Sequence, residues 1–131
     1  MAINKETKTL QMSWGRVSEF AQAVKVGDTI YLVGQVSHDP ESDFGRFGEM
    51  EIQMRQVYGN VAKLLKEFGA SLENIVDVVL FVRDMEAAES VWVKCRQDVF
   101  GRFPALACSV LQIERRAFPE LLIEIKCVAK V

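Results

Sequence analysis

The residues that could support chemistry are few and far apart in this sequence. Glu124 lies within a run of apolar residues, and Cys108 follows a proline and three small or apolar residues. No glycine-rich phosphate loop, nucleophile elbow or Ser-His-Asp set is present. Because alternate residues of a strand face opposite ways, Glu124 is either a carboxylate in a ligand cleft or a charge at the surface or a subunit interface. A free cysteine such as Cys108 usually packs in a core, and the alternative is a role in a site.

The sequence gives little support to a metal site. His38 is the only histidine, and Asp39 and Glu41 beside it have the residue types of metal ligands. Pro40 interrupts this set, and no second histidine or cysteine lies nearby. We therefore expect no metal ion, and nothing in the sequence indicates a cofactor.

The composition is typical of one globular domain. Of 131 residues, 50% are hydrophobic and 26% are charged, so we expect a single domain over residues 1–131. The net charge of −2 gives no reason to expect nucleic acid or a membrane surface as a partner. Three cysteines without a CxxC pair indicate reduced thiols. The first eight residues lack the apolar core of a signal peptide, and no apolar run approaches the roughly 20 residues of a membrane helix, so we expect a cytoplasmic protein.

Hydrophobic patterning predicts two strands in the first part of the chain. Residues 20–24 form the first strand, Val26-Gly27-Asp28 forms a turn, and residues 29–36 form the second strand. The second strand is apolar almost throughout, as expected of a strand that is buried on both faces or lies at a subunit contact. Residues 38–48 are polar, with glycine and proline, and are predicted to form a loop.

Two amphipathic helices are predicted further along the chain. Apolar residues at helical spacing indicate a helix over residues 49–68 that ends at Gly69, and a short capped turn over residues 71–74. Residues 75–82 form a β-branched strand, and Asp84 caps a second helix. A strand follows Pro104, a loop covers residues 114–120, and a last strand covers residues 121–130. One face of the second helix carries the apolar residues Ala88, Val91, Trp92, Cys95 and Val99.

The predicted order of elements, β-β-α-β-α-β-β, indicates an α+β fold with two helices on one face of a mixed sheet. If the strand after Pro104 lies at a sheet edge, its first residues are placed to meet a ligand or another subunit. The uncovered face of the sheet would expose much apolar surface in a monomer. We therefore expect association with other copies of the chain.

Two stretches are similar to a known family. The run Phe103-Pro104-Ala105-Leu106-Ala107-Cys108-Ser109-Val110-Leu111 and residues 121–129 resemble the C-terminal signature of the RidA/YjgF/L-PSP family. Other matching positions, spread over residues 18–130, include Ala21-Gln22-Ala23, Gly27-Asp28, Gly34-Gln35 and Gly69-Ala70-Ser71-Leu72. The resemblance implies a chorismate-mutase-like fold, a homotrimer, and a cleft between subunits that takes a small molecule. It also implies the activity of an imine deaminase, an enzyme that hydrolyses reactive 2-imino and 2-enamino acids.

The family's site pattern is only partly present. The arginine that holds the substrate carboxylate in the family is a leucine here, and a leucine cannot form that bidentate pair. The tyrosine, serine and frequent asparagine of the family are phenylalanine, valine and tryptophan. The resemblance implies Glu124 as the residue that holds the catalytic water. It also implies substrate-binding positions at Phe20, Val33, Gly34, Trp92, Ala105, Leu106 and Cys108.

These departures predict a more apolar and aromatic cleft, suited to a larger or less charged ligand. Trp92 has the alternative of packing in the core on its helix face. Arg115 and Arg116 are either solvated loop charges or a replacement for the missing guanidinium.

Three functions stay open at this point. The first is a hydrolase or deaminase of altered specificity that uses Glu124 and a bound water on an imine or enamine. The second is a non-catalytic trimer that binds or senses a ligand, or a protein-interaction partner, which the loss of polar cleft residues favours. The third is the endoribonuclease or translation-inhibitor role that the family has also been given. A pI near 5.5 and the absence of a basic stripe count against RNA chemistry.

Overall fold

The computed structural model describes residues 2–10, 21–39, 44–45, 48–102, 104–114 and 119–131. The strands and helices of this part of the chain follow one another as β1 (Glu6–Lys8), β2 (Ala23–Val26), β3 (Thr29–Leu32), β4 (His38–Asp39), β5 (Phe44–Gly45), α1 (Met50–Lys66), β6 (Ile75–Val82), α2 (Met85–Phe100), β7 (Ala107–Gln112) and β8 (Ile123–Lys130). A 3₁₀ helix, Leu72–Asn74, lies between α1 and β6. Apart from β1 and the short β4–β5 pair, this order is the predicted one.

Six of the described strands form one mixed sheet in the order β1-β2-β3-β8-β6-β7. Neighbouring strands are antiparallel except β6 and β7, which run parallel. A parallel pair needs a long crossover, because the chain must return to the end at which the first strand began, and α2 supplies it. The strand after Pro104 therefore lies at a sheet edge, paired with β6 alone within the described chain.

Helix α1 packs on β8 and on α2 with one apolar face. Its end is fixed by Gly69, whose φ of +71° lies in the region that favours glycine. The Gly69 N–H donates to the Lys66 carbonyl at 2.9 Å, and the Ala70 N–H donates to the Leu65 carbonyl at 3.1 Å. These two bonds form the Schellman arrangement and confirm the predicted helix end. The buried residues of α1 are Met50, Gln53, Met54, Val57, Tyr58, Asn60, Val61, Leu64 and Leu65.

Helix α2 begins at the predicted cap, where the Asp84 side chain accepts from the Ala87 N–H at 3.2 Å. Of its predicted apolar face, Ala88 and Cys95 are buried, and the other residues are half-buried against the same core. The predicted capped turn is also confirmed, because Ser71 caps the 3₁₀ helix. No helix in the described ranges has the length and apolar character to cross a membrane.

The helices cover one face of the sheet, and none of the described elements covers the other face, which is called the open face below. Alternate strand residues fill the core beneath the helices, and they include Ile30, Leu32, Val78, Leu80, Val82, Ile123, Ile125 and Cys127. Tyr31 and Leu111 point away from this core and are 50% and 46% exposed. The predicted α+β architecture with helices on one face is confirmed.

Several strand boundaries differ from the predictions. The first predicted strand, residues 20–24, is found at Ala23–Val26, and Phe20 lies outside the described residues. The second strand ends at Leu32 instead of residue 36, because the chain bulges away from β8 there. This strand is not buried on both faces within one chain, since its own Tyr31 is 50% exposed. The alternative, that this surface contacts another subunit, stays a prediction.

Three short strands have no counterpart in the sequence predictions. β1 is polar, and it forms a strand because it pairs with β2, with Thr7 opposite Val24. β4 and β5 pair within the segment that was predicted to be a loop. Two further strands begin later than predicted, at Ala107 and Ile123.

Candidate functional site

The carboxyl group of Glu124 lies directly against the backbone of Gly34. A Cβ atom built on Gly34 would be 2.3 Å from Cδ of Glu124 and 2.7 Å from its Oε1. No real side chain accepts such distances, so the absence of a side chain at position 34 is what lets Glu124 lie there. Glu124 is half-buried, on the open face of the sheet, because its neighbours Ile123 and Ile125 face the core.

A bulge in the backbone produces this close approach. Tyr31 pairs with Val128 and Gln35 pairs with Ile125. The three residues 32–34 therefore lie opposite only the two residues 126–127 of β8, which is a β-bulge. The Gln35 N–H and carbonyl both bond to Ile125, at 2.8 and 2.9 Å. The Val33 N–H instead donates to the Gln22 carbonyl at 2.8 Å. Gly34 is thus fixed between two anchored residues.

Asn60 of α1 holds the segment that follows Gly34. Its Nδ2 donates to the Val36 carbonyl at 2.9 Å and also to the His38 carbonyl. Its Oδ1 accepts a hydrogen bond from Nε2 of Gln56 at 2.9 Å, so the nitrogen and the oxygen of the buried amide both have partners. The helix thereby positions the loop that carries Gly34. Asn60 has no role in the site predicted from the sequence, although an asparagine on the apolar face of a predicted helix was a signal.

A second group of the predicted residues lies at the edge strand β7. Leu106 is half-buried and lines a recess of about 340 Å³ together with Val99 and Phe100 of α2. Ala105 beside it and Cys108 are exposed as residues, although the Cys108 sulfur is partly buried. Leu106 therefore packs on its own helix layer. An apolar side chain in this place offers no group that could pair with a carboxylate.

Trp92 lies beside Cys108, and Arg96 lies one helical turn further along α2. The Arg96 guanidinium carbon is 5.4 Å from the centroid of the Trp92 ring, which is a cation–π distance. Burial raises the pKa of the Cys108 thiol, while the Trp92 indole and the positive charge of Arg96 act in the opposite direction. Arg96 was not among the predicted residues, although its spacing of four from Trp92 places both on one helix face.

The two groups do not form one site within one chain. Glu124 is opposite Phe81, which is in turn opposite Leu111 on β7. Leu106 precedes Leu111 by five residues, or roughly 17 Å along the strand at roughly 3.3 Å per residue. In addition, Glu124 lies on the open face of the sheet, whereas Leu106 and Cys108 lie on the helix side. The predicted residues are thus divided between two surfaces.

Three predicted positions lie outside the described residues, namely Phe20, Arg115 and Arg116. His38 is buried, and Glu41 is also outside the described chain. In the part of the chain that the structure describes, no three histidine, cysteine, aspartate or glutamate side chains are grouped as metal ligands would be.

Comparison with known proteins places this arrangement in a family. A sequence model described as "Endoribonuclease L-PSP" matches residues 13–131. A "RutC family protein" of Sulfurisphaera tokodaii is 36% identical over 69 residues, which are 53% of this chain and 55% of that protein. The match thus spans about half the length of that relative. The human protein named "2-iminobutanoate/2-iminopropanoate deaminase" is 30% identical over 93 residues, covering 71% of this chain and 68% of that one.

The fold is shared with solved structures. The Rid protein YyfA from Yersinia pestis, described as a protein of unknown function, superposes with a TM-score of 0.87 at 22% identity and covers 98% of this chain and 100% of its own. At that identity the likeness shows the fold alone. The family model extends over nearly the whole chain, from the Gly34 bulge to Glu124 and the edge strand. The chain belongs to the endoribonuclease L-PSP family, the RidA/YjgF/L-PSP family that its sequence resembles.

Proposed function

We propose that this protein hydrolyses a carbon–nitrogen double bond in a small molecule, in a cleft between copies of the chain, with Glu124 as the general base. The observation that carries the proposal is the contact between the Glu124 carboxyl group and the side-chain-free backbone at Gly34. A half-buried carboxylate held in one place against a backbone can orient a water molecule. The name of the human relative agrees with this class of reaction.

The location between subunits follows from the division of the predicted residues. Glu124 lies on the open sheet face and the β7 group lies on the helix side, so one chain cannot bring them together. A neighbouring chain packed on the open face can supply the second group. The exposed apolar residues of that face, Tyr31 and Leu111 among them, support such packing. We propose a homotrimer, as the family resemblance implies.

The proposed reaction needs no cofactor. Glu124 accepts a proton from water while the water oxygen forms a bond to the imine carbon. The π electrons of the C=N bond move to nitrogen, which takes up a proton from solvent. The resulting carbinolamine then loses ammonia as its hydroxyl proton passes to solvent, and a C=O bond remains. The glutamate that received the proton returns it to the leaving nitrogen.

The substrate is expected to differ from the smallest 2-imino acids. Leu106 is apolar and half-buried against Val99 and Phe100, so that position has no guanidinium group that could hold a carboxylate. Trp92 adds an aromatic surface nearby. These residues favour a substrate with a larger apolar body.

The test is ammonia release from three enzymatically generated imines. Two are 2-iminopropanoate and 2-iminobutanoate, and the third is the imine formed by oxidation of phenylalanine. We expect release above the spontaneous rate, with kcat/KM about tenfold higher for the phenylalanine-derived imine. Glu124→Gln should lower kcat about 100-fold or more. Glu67→Gln, an exposed change at the far end of α1, should leave the rate unchanged.

The reaction is excluded if none of the three imines is hydrolysed faster than in buffer, or if Glu124→Gln retains the natural rate. The variant Leu106→Arg provides a second test in the same assay. A gain for 2-iminopropanoate in that variant would show that position 106 faces the ligand.

A second function, ligand binding without catalysis, is favoured by one observation. Leu106 packs on its own helix layer, so a recognition group of the family is replaced by a core contact. Under this alternative, small imino acids or their products raise the melting temperature of the protein while ammonia release stays at the spontaneous rate.

A further inference from the structure

Two amide side chains interrupt the apolar face of α1, and each of them bonds to the main chain of another segment. They are Gln53 and Asn60, which are 0% and 2% exposed. They lie two helical turns apart, or roughly 10 Å along the axis, so both are on the same side of the helix. A buried amide is costly unless its hydrogen bonds are formed. The partners of these two side chains therefore show which parts of the chain they hold.

Asn60 acts on the chain just after Gly34. Its Nδ2 group donates to two carbonyl groups within residues 36–38. Gln35 lies between those carbonyls and Gly34, and its N–H and carbonyl both bond to Ile125 of β8. Asn60 therefore holds, from the next residue along, the main-chain pair that brings Gly34 to β8.

Gln53 acts on the chain just before Glu124. Its Nε2 donates to the Glu120 carbonyl at 2.8 Å, and its Oε1 accepts from the Leu122 N–H at 2.8 Å. The Leu122 carbonyl accepts from the Arg83 N–H at 3.0 Å. The N–H and the carbonyl of the residue two places before Glu124 are thus both fixed.

We propose that Gln53 and Asn60 are positioning residues for Glu124, through which α1 holds the Glu124 carboxyl group against Gly34. Gln53 holds the strand that carries Glu124, Asn60 holds the segment that carries Gly34, and both side chains belong to one helix. Glu124 lies on the open face of the sheet and α1 lies on the other face. The two amides therefore act through the main chain and not on a ligand. As a role in catalysis, this inference rests on the function proposed above.

Amide hydrogen exchange followed by NMR measures this positioning without turnover. The probes are the Gln35 and Ile125 amides, which bond to one another's carbonyl groups. The reference is the amide of Cys95, a buried residue in α2. Division by the reference rate removes a general loss of stability, because global unfolding exposes all of these amides.

Removal of either amide side chain should loosen the main-chain pair locally. We expect Asn60→Ala and Gln53→Met each to speed exchange of the Gln35 and Ile125 amides about tenfold or more relative to the reference. If Asn60→Ala is unfolded by circular dichroism, Asn60→Ser takes its place. The serine keeps one donor, so its effect should be about threefold.

Asn74→Ala is the matched control. Asn74 is also an amide that donates to a carbonyl of β8, that of Lys130 at 2.9 Å, but it does so at the opposite end of the strand from Glu124. Its removal should change the relative exchange rates of the two probe amides less than about twofold.

Kinetics separate positioning from binding. With the imine that the natural chain hydrolyses fastest, Asn60→Ala and Gln53→Met should lower kcat about tenfold or more, because a small displacement of a general base slows the chemical step. KM should change less than about twofold, since neither amide contacts the substrate. Asn74→Ala should leave kcat within about twofold of the natural value. Rates are compared at a temperature at which every variant is folded.

Two results would overturn the inference. If the probe and reference amides were accelerated equally, Gln53 and Asn60 would stabilise the fold without holding Glu124 at Gly34. If kcat were lowered as much by Asn74→Ala as by the other two variants, the loss of rate would follow from stability and not from position.

The exchange measurement needs no turnover, so this inference and the hydrolase proposal fail separately. If the natural chain hydrolyses no imine, the reaction is removed, and exchange alone decides whether the two amides hold Glu124 at Gly34. Glu124-dependent hydrolysis with an unchanged kcat in both variants would leave the reaction standing and remove the positioning role.

Discussion

The carboxyl group of Glu124 fills the place that a side chain on Gly34 would need, because its carboxyl carbon lies 2.3 Å from the position that a Cβ atom of residue 34 would take. The two residues are far apart in the sequence and are brought together by the pairing of Gln35 with Ile125. The glycine is therefore required by the neighbouring strand and not by its own φ angle. The position of the proposed general base depends on that absence of a side chain.

Alanine at position 34 should displace Glu124. The added methyl group overlaps the carboxyl carbon, so either the Glu124 side chain moves or the bulge opens. Every atom that the methyl group would meet belongs to the flexible end of the Glu124 side chain, which can rotate away, so we expect Gly34→Ala to lower the free energy of unfolding by only about 1 kcal/mol or less, measured by urea denaturation. Any Glu124-dependent ammonia release should fall with it.

Gly59→Ala is the matched control for this change. Gly59 lies in the middle of α1, and a Cβ atom there would meet nothing within 4 Å. Alanine is the better helix former, so this variant should gain about 0.5–1 kcal/mol. Equal stability changes in the two variants would contradict the close packing of Glu124 on Gly34.

Gln53 connects α1 to the segment before β8, and its removal should cost more than that of its neighbour Gln56. Its fully buried amide donates to the Gly48 and Glu120 carbonyls at 3.2 and 2.8 Å and accepts from the Leu122 N–H at 2.8 Å. Gln53→Met keeps the volume and leaves these groups unpaired, so we expect a loss of about 2–4 kcal/mol. Gln56→Met, in a half-buried residue with one bond to Asn60, should lose about 1 kcal/mol or less.

These two losses are read from urea denaturation curves. If Gln53→Met and Gln56→Met unfolded at the same urea concentration, the three hydrogen bonds of Gln53 would contribute little to stability.

Cys108 should be the one thiol of the described cysteines that reacts in the native protein. It is exposed, whereas Cys95 and Cys127 are buried. Although the residue is exposed, its sulfur is partly buried, which raises the pKa of the Cys108 thiol, so the reaction with a disulfide reagent at pH 8 should be slower than that of free cysteine. Because Arg96 lowers this pKa, Arg96→Gln should slow the reaction further and Lys94→Gln should not. Fast reaction of two thiols per chain in the folded protein would contradict this assignment.

Stability should decline in alkali partly through Cys127. Burial raises the pKa of this thiol from 9.0 to about 12. Below pH 9 the thiol is protonated in both states, and between pH 9 and 12 the unfolded chain loses the proton first. The free energy of unfolding should then fall by up to about 1.4 kcal/mol per pH unit through this group.

Urea denaturation at pH 8 and pH 10.5 measures this effect. Cys127→Ala should show a smaller difference between the two pH values than the natural chain. Burial is the main cause that raises the pKa of the Tyr58 hydroxyl, and this part is the same in both proteins and cancels in the comparison; the smaller part that comes from the Cys127 charge is lost in Cys127→Ala together with the thiol. Identical pH dependence of the two proteins would exclude the proposed role of the thiol.

The helices and the central strand could be predicted because their signals are local. Apolar spacing, the glycine after Phe68 and the Asp84 cap act over a few residues, and the structure places α1, α2 and β6 where those signals indicate. The strand at residues 29–36 was predicted too long, because its apolar run continues through Val33 while the hydrogen bonds do not. β1 was missed, since pairing with β2 and not its own composition makes it a strand.

The candidate site could be predicted only in part. The resemblance singled out Glu124 and Gly34, and the structure puts them in contact. It also singled out Leu106 and Cys108 as members of the same cleft, and the strand register shows that one chain holds them on the other side of the sheet from Glu124.

By itself, the sequence determined the family, the order of the main elements and the replacement of a charged recognition residue by Leu106. These depend on residue types and on periodicity along the chain. The tertiary structure alone decided that Glu124 meets Gly34, that Leu106 packs on α2, and that Trp92 lies beside Cys108. Such contacts depend on strand register and helix rotation, in which a shift of one residue moves a side chain to the opposite face.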